Sequence, residues 1–134
     1  MPRFHDTAVS QAPPEEVWKL LYDPGRFPDW WAGVAAVETD LRDGEPVGFT
    51  YWSEAERDVP VPQGFASSAR DRRIIVSCLV HGFRFDWRLA ALDEGRSTRI
   101  DVDVDVPDAQ STQFDALRDG IASSIARLAT LAAR

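Results

Sequence analysis

Two segments in the second half of the chain alternate apolar and polar residues at every second position. Residues 98–106 read TRIDVDVDV and residues 83–89 read FRFDWRL. This period is typical of strands in a sheet with one dry face and one wet face. Residues 93–96 (DEGR) lie between the two segments and predict a turn. We therefore expect an antiparallel pair in which Arg84 and Arg88 face the aspartates of the other strand.

Weaker alternation upstream predicts five further strands. They are placed at 3–10, 34–41, 47–52, 65–71 and 72–80. Residues 54–64 (EAERDVPVPQG) contain two prolines and a glycine. Because proline cannot donate to a strand ladder, this segment is predicted to be a loop or an edge rather than a central strand.

The remaining apolar residues follow a helical period of three to four. Such a pattern begins at Pro14 and ends at the Asp-Pro-Gly of 23–25, and Pro28 leaves room only for a very short second helix through Trp30 and Trp31. A long amphipathic helix is predicted over 108–132. Its apolar face comprises Phe114, Leu117, Ile121, Ile125, Leu128 and Ala132.

The predicted order is one strand, two short helices, six strands and one long helix. A sheet of about seven antiparallel strands twists and curls, and the amphipathic last helix needs an apolar surface to cover. The pattern therefore predicts an α+β helix-grip fold, a curved sheet wrapped around a C-terminal helix, as a single domain over 1–134. The competing NTF2-like class usually ends in a strand, which the last segment disfavours.

Composition and charge narrow the possible partners. The net charge of −7 disfavours binding to nucleic acid or to anionic membranes. The N-terminus lacks a signal-peptide pattern, and no apolar run approaches the ~20 residues of a membrane span, so we expect a cytoplasmic protein without membrane insertion, monomeric or homodimeric. Cys78 is the only cysteine, and its apolar neighbours favour a buried hydrophobe over a nucleophile.

At the level of motifs, the chain resembles the START/Bet v 1-like (SRPBCC) superfamily, especially its bacterial polyketide cyclase/dehydrase-like branch. The resemblance rests on VSQAPPEEVWKLLYDPGRFPDWWAGV (9–34), on the later strand segments and on the final helix. It implies a cavity between the concave face of the sheet and the C-terminal helix. It implies no catalytic residue, because this superfamily includes carriers, receptors and cyclases alike.

The side chains expected to line this cavity are mostly apolar, as in pockets for small organic ligands. They are Trp31, Phe49, Tyr51, Phe83, Phe85, Trp87, Thr98, Ile100, Val102, Phe114, Leu117 and Ile121. For any one of them, simple core packing is the alternative. The Thr98 hydroxyl has a second alternative, a hydrogen bond to a nearby backbone group.

Tyr51 and His81 are the candidate catalytic residues. Tyr51 is a hydrogen-bond donor expected to face inward, and His81 lies at a strand end where it could act as an acid or base. For His81 the commoner alternative is an ordinary histidine of a turn or strand end. One of Arg70, Arg72 and Arg73 is a candidate to bind an anion, although a solvated edge is the commoner place for such a cluster. Two histidines and one cysteine make no credible transition-metal set, and no cofactor is expected.

These features favour a module that binds a hydrophobic or aromatic small molecule, such as a lipid or polyketide. One alternative is a polyketide cyclase or dehydratase that uses acid–base residues in the cavity. The other is a protein–protein module, of the kind found among co-chaperones, which would need an exposed apolar patch.

Overall fold

The computed structural model describes residues 2–134, which form one seven-stranded sheet and three α-helices. The strands are β1 (Arg3–Ser10), β2 (Val34–Arg42), β3 (Glu45–Ser53), β4 (Val61–Ser68), β5 (Arg73–Cys78), β6 (Arg84–Leu92) and β7 (Ser97–Asp105). The helices are α1 (Pro14–Tyr22), α2 (Phe27–Trp30) and α3 (Phe114–Ala132).

Neighbouring strands are antiparallel throughout, in the order β1-β7-β6-β5-β4-β3-β2. Strands β2 to β7 form a meander, and β1 joins the far side of β7. Helices α1 and α2 connect the two edge strands, and α3 closes the chain. The predicted α+β helix-grip fold is confirmed.

The β6–β7 pair has the predicted register. Phe85 lies opposite Val104 and Trp87 lies opposite Val102 on the inner face. On the outer face the Arg88 guanidinium bonds the Asp103 carboxylate. The strict alternation predicts this pairing because the apolar row must face the core and the charged row must face solvent.

The prediction for residues 54–64 is wrong in its second half. Strand β4 begins at Val61 and lies between β3 and β5, so its first residues are central in the sheet. Pro62 lacks an N–H, but its carbonyl oxygen accepts a hydrogen bond from the Leu79 backbone N–H at 3.3 Å. A strand can therefore include a proline where the ladder needs only its acceptor.

The last helix starts later than predicted. Residues Asp108–Gln113 form 3-10 turns, and Gln110 departs from helical geometry with φ −111° and ψ 17°. From Phe114 the helix is continuous to Ala132. The apolar period is visible in the sequence, but the backbone conformation that precedes it is not.

Helix α3 has its main strand contact with the edge strand β1. The buried Ser10 hydroxyl donates to the Ala129 carbonyl at 2.7 Å and fixes this contact. Helix α1 buries Val17, Leu20 and Leu21, while the Trp30 indole N–H donates to the Leu20 carbonyl at 3.2 Å. The three helices thereby cover one part of the concave face and leave another part less filled.

Candidate ligand-binding cavity

A cavity of about 240 Å³ lies between the concave face of the sheet and the start of α3. Its walls come from the junction between α2 and β2, from strands β3 to β6, and from the first turn of α3. The lining residues are Phe27, Trp31, Ala32, Gly33, Val34, Phe49, Tyr51, Ser53, Gln63, Val76, Cys78, Phe83, Phe85 and Leu117. None of these side chains carries a formal charge at neutral pH.

The α2–β2 junction is held in place by a buried serine of α3. The Ala32 backbone N–H donates to the Ser124 hydroxyl oxygen at 2.8 Å, and this hydroxyl donates to the Gly120 carbonyl at 2.7 Å. Gly33 follows with φ +88°, a conformation that favours glycine. These contacts fix the wall formed by residues 31–34.

Trp31 is the central aromatic residue of this wall. Its ring centroid lies 5.1 Å from those of Phe27 and Phe85, and 5.4 Å from that of Trp87. Edge-to-face and tilted contacts of this kind stabilise a fixed ring orientation. The adjacent Trp30 is fully buried and stacks on Trp31. The two adjacent tryptophans therefore have different environments, one in the core and one in the cavity wall.

The floor of the cavity contains a row of three residues on neighbouring strands. Gln63 on β4 lies opposite Phe49 on β3 and opposite Cys78 on β5. Residues directly opposite each other project from the same face of a sheet, so all three side chains point to the cavity. Tyr51 is two residues beyond Phe49 on β3 and lies on the same face.

Tyr51 presents a phenol to this apolar space. Burial raises the pKa of Tyr51 above its usual value of 10.0, and the nearby Cys78 and Glu56 raise it further. Within residues 2–134, no group forms a hydrogen bond with its hydroxyl. At neutral pH this phenol is therefore a protonated donor that is available to a ligand.

Gln63 and Ser53 are polar lining residues that the sequence does not predict. Gln63 is 5% exposed, and its Nε2 donates to the Pro62 carbonyl at 3.1 Å. For Gln63 the signal is the spacing of two between Val61, Gln63 and Phe65, which places them on one face of a strand. The two prolines of 54–64 mask this signal, because they favour a loop or an edge.

The structure brings together six of the residues proposed from sequence as the ligand site. These are Trp31, Phe49, Tyr51, Phe83, Phe85 and Leu117. The other six, Trp87, Thr98, Ile100, Val102, Phe114 and Ile121, lie outside the cavity lining. The predicted inner face is therefore shared between a cavity and a packed core.

Each residue of the second group has a structural contact instead. The Thr98 hydroxyl donates to the Ala12 carbonyl at 2.9 Å, and the Phe114 ring packs edge-on against Phe4 at 5.4 Å. The other four are almost completely buried in the core. For Thr98, the backbone hydrogen bond considered from sequence is the observed arrangement.

The two residues proposed as catalytic do not meet. Tyr51 lines the cavity, whereas His81 is exposed in the β5–β6 turn, with its ring 6.2 Å from that of Phe83. Arg73 points to the outer face, where Nε and an Nη donate to the Asp86 carboxylate at 2.9 and 2.7 Å. Neither His81 nor Arg73 is placed to act on a molecule in the cavity.

The aspartates of β7 have arginine partners. The Asp101 carboxylate pairs with Arg99 at 2.9 Å, and the Asp103 carboxylate pairs with Arg88. Across residues 2–134, no group of three His, Cys, Asp or Glu side chains is placed to hold a metal ion. Over the same residues, no helix is both long and apolar enough to cross a membrane.

Comparison with solved structures shows the same fold. The Zhui aromatase/cyclase from Streptomyces sp. R1128 superimposes with a TM-score of 0.83 at 15% identity, over 98% of this chain and 93% of that one. A START superfamily protein from Mycobacterium smegmatis gives 0.73 at 16% identity, over 94% and 96% of the two chains. The di-domain ARO/CYC protein BexL gives 0.78 at 16%, and this chain spans 45% of its length.

A match to a family model identifies the family of this chain, whereas a search of curated proteins does not. Among curated proteins, no sequence matches this chain. Residues 10–117 match the family described as polyketide cyclase/dehydrase and lipid transport, which covers most of the chain and supports a ligand-binding or cyclase-type role. The chain has the same fold as the START superfamily protein from Mycobacterium smegmatis. On the match over residues 10–117, it belongs to the polyketide cyclase/dehydrase and lipid transport family.

Proposed function

We propose that this protein binds a compact aromatic small molecule in the cavity between the sheet and α3. The observation that carries the proposal is the lining. Six aromatic rings surround the space, and no charged group of residues 2–134 lines it. The rings belong to Phe27, Trp31, Phe49, Tyr51, Phe83 and Phe85. Aromatic walls can make edge-on and stacked contacts with a flat aromatic ligand. A flexible alkyl chain cannot use these contacts as well.

The volume favours a small ligand. A cavity of roughly 150 Å³ is enough to hold benzene in an engineered protein, and drug-sized ligands occupy about 300–1,000 Å³. At about 240 Å³, this cavity fits a molecule of about two fused rings better than a long lipid.

The proposal is tested by titrating the protein with naphthalene, followed by tryptophan fluorescence and thermal unfolding. Because Trp31 lines the cavity and contacts Phe85, we expect a saturable change in fluorescence and a rise in Tm. Absence of both changes at the solubility limit of the probe would contradict the proposal.

A matched pair of variants locates the binding. Leu117→Trp adds a bulky ring at the start of α3, on the cavity wall, and should abolish binding. Leu131→Trp makes the same change near the end of α3, away from the cavity lining, and should leave binding intact. Equal effects of the two variants would place the probe elsewhere on the protein.

A cyclase or dehydratase is the second candidate, and one observation favours it. The Tyr51 phenol is protonated at neutral pH and has no partner within residues 2–134, so it could donate a proton or a hydrogen bond to a substrate carbonyl. Among residues 2–134 the cavity lining provides no strong base, because Tyr51 and Cys78 are the only titratable side chains in it. Turnover of a poly-β-ketone substrate that is lost in Tyr51→Phe would establish this function; binding without turnover would exclude it for that substrate.

A further inference from the structure

Gln63 brings a largely buried amide to the cavity lining. It is 5% exposed and lies between Phe49 and Cys78, which both line the same space. Transfer of an amide from water to an apolar site costs free energy unless its hydrogen bonds are replaced. Almost all buried polar groups therefore have a partner.

The orientation of this amide follows from its single protein contact. The Pro62 carbonyl at 3.1 Å can only accept a hydrogen bond, so the Gln63 nitrogen must face it. The amide oxygen is then directed away from Pro62 and receives no hydrogen bond from residues 2–134. Gln63 thus offers the cavity an acceptor.

Tyr51 offers the complementary group. Its hydroxyl donates to no atom within residues 2–134 and lines the same cavity, on the strand next to Gln63. Within the described residues 2–134, no lysine or arginine lines the cavity, and an unpaired carboxylate would be costly to bury there. The polar part of a ligand is therefore expected to be neutral.

We propose that Gln63 and Tyr51 form a specificity pair that selects neutral, oxygen-bearing aromatic ligands, with Gln63 accepting from a ligand hydroxyl and Tyr51 donating to a ligand carbonyl. This inference rests on the proposed function, since it assigns the ligand class to the same cavity. It makes Gln63 a specificity-determining residue, and it makes plain hydrocarbons poorer ligands than their phenol and ketone analogues.

Three probes of similar size separate these roles. Naphthalene has no polar group, 2-naphthol adds a hydroxyl donor, and 2-acetylnaphthalene adds only a carbonyl acceptor. In the unaltered protein we expect both polar probes to bind more tightly than naphthalene, by about fivefold to tenfold for one added hydrogen bond.

The variants should then divide the probes. Gln63→Leu keeps the approximate size of the side chain. It should weaken the binding of 2-naphthol about tenfold and have little effect on the binding of 2-acetylnaphthalene. Tyr51→Phe should weaken 2-acetylnaphthalene by a similar factor. Naphthalene should bind Gln63→Leu at least as tightly as the unaltered protein, because no unpaired amide oxygen remains. If Gln63 had only a structural role, Gln63→Leu would lower the affinity for all three probes together.

Matched controls exist at other positions of the chain. Tyr22→Phe removes the only other tyrosine hydroxyl, which bonds Glu45 outside the cavity, and Gln11→Leu removes an exposed amide. Both should leave all three affinities unchanged. Cys78, the only cysteine and a lining residue, gives an independent readout: bound probe should slow its alkylation by a thiol reagent.

The outcomes distinguish this inference from the function on which it rests. If naphthalene binds in the cavity but the polar probes gain nothing and Gln63→Leu changes nothing, the specificity pair is wrong while aromatic binding stands. If no probe binds and none slows alkylation of Cys78, the proposed function and this inference both fail.

Discussion

Val102 and Val76 are the same residue type on central strands, and both are almost completely buried, yet they lie in different regions of the inner face. Val102 belongs to a packed region together with Trp87, Ile100 and Ile121. Val76 belongs to a cavity region that also includes Gln63 and other floor residues. Burial alone therefore does not distinguish a core residue from one that faces an enclosed space.

The position of the helices accounts for this difference. Helix α3 lies mainly along β1, and α1 contacts β6 and β7, so the strands on that side are covered by helix side chains. Towards β3, β4 and β5 the cover consists of Trp31, the residues after it and the first turn of α3. The inner face of the sheet is therefore packed where α1 and most of α3 cover it, and hollow beside Trp31 and the first turn of α3.

The two valines provide the most direct test of the comparison. Val102→Ala removes two carbons from a close-packed site and should lower the free energy of unfolding by about 2–3 kcal/mol. Val76→Ala removes the same atoms beside an existing cavity and should cost only about 1 kcal/mol, because part of its surface already lacks contacts. Urea denaturation of both variants measures the difference.

Equal losses for Val102→Ala and Val76→Ala would show that the space beside Val76 is closed in solution. Binding of naphthalene to the Val76→Ala variant gives a second measure, since the enlarged cavity should still accept the probe.

Ser124 lies at the boundary between the two regions. Ser124→Ala leaves the partly buried Ala32 N–H without its acceptor and should destabilise the protein by about 1–2 kcal/mol. Because Ala32 is in the cavity wall, the affinity for naphthalene should fall in the same variant. Ser123→Ala, on the exposed face of the same helix, should change neither quantity. Intact binding in Ser124→Ala would show that the wall does not depend on this hydrogen bond.

The Arg73–Asp86 pair links β5 of the cavity region to β6 on the outer face. Burial of Asp86 opposes its ionisation, but hydrogen bonds from Arg73 and the charges of Arg73, Arg88 and Arg84 outweigh it and lower the pKa of Asp86. A lowered pKa contributes stability above the unfolded-state value of roughly 4, and this stability is lost as pH falls through the folded-state value.

Asp86→Asn should therefore lower the free energy of unfolding by about 1 kcal/mol at pH 7, since Arg73 is partly exposed to solvent. The difference in free energy of unfolding between this variant and the unaltered protein should become smaller as pH falls below about 4. Asp29→Asn, in the exposed pair with Arg26, should show a smaller effect. If the difference in free energy of unfolding stays constant down to acidic pH, the pKa of Asp86 is not lowered.

Tyr51 should give the smallest effect, confined to alkaline pH. Its raised pKa means that the folded state holds the phenolic proton more tightly than the unfolded state does, so stability falls as pH rises above about 10. Tyr51→Phe lacks this titration. The free energy of unfolding should therefore decline less in Tyr51→Phe than in the unaltered protein between pH 9 and pH 11. Parallel declines would mean that the phenol is not shielded from solvent.

Much of the fold could be predicted from the sequence because local patterns repeat many times. The alternation in β6 and β7 specifies a sheet with one dry face, and the apolar period after Phe114 specifies a helix with one apolar face. These two elements leave few ways to bury both surfaces. The prediction of a loop or an edge at 61–64 is wrong for a local reason. A proline in the sequence disfavours a central strand, but at Pro62 the strand uses only the carbonyl oxygen as a hydrogen-bond acceptor.

The candidate site was less predictable, for a reason that Phe85 and Trp87 illustrate. Both are inward-facing aromatics on the same strand, yet Phe85 lines the cavity and Trp87 is enclosed by other rings. The sequence pattern defines which face of the sheet a side chain occupies. It contains no information about what lies above that face.

The amino-acid sequence by itself thus determined the order of elements, the helix-grip class and the division of side chains between a wet and a dry face, because each depends on local periodicity. Only the tertiary structure decided which part of the dry face is packed and which is hollow, and that Gln63 joins Tyr51 in the hollow. The physical reason is that enclosed space depends on where separate helices lie over the sheet, and those distances are set by contacts between residues far apart in the chain.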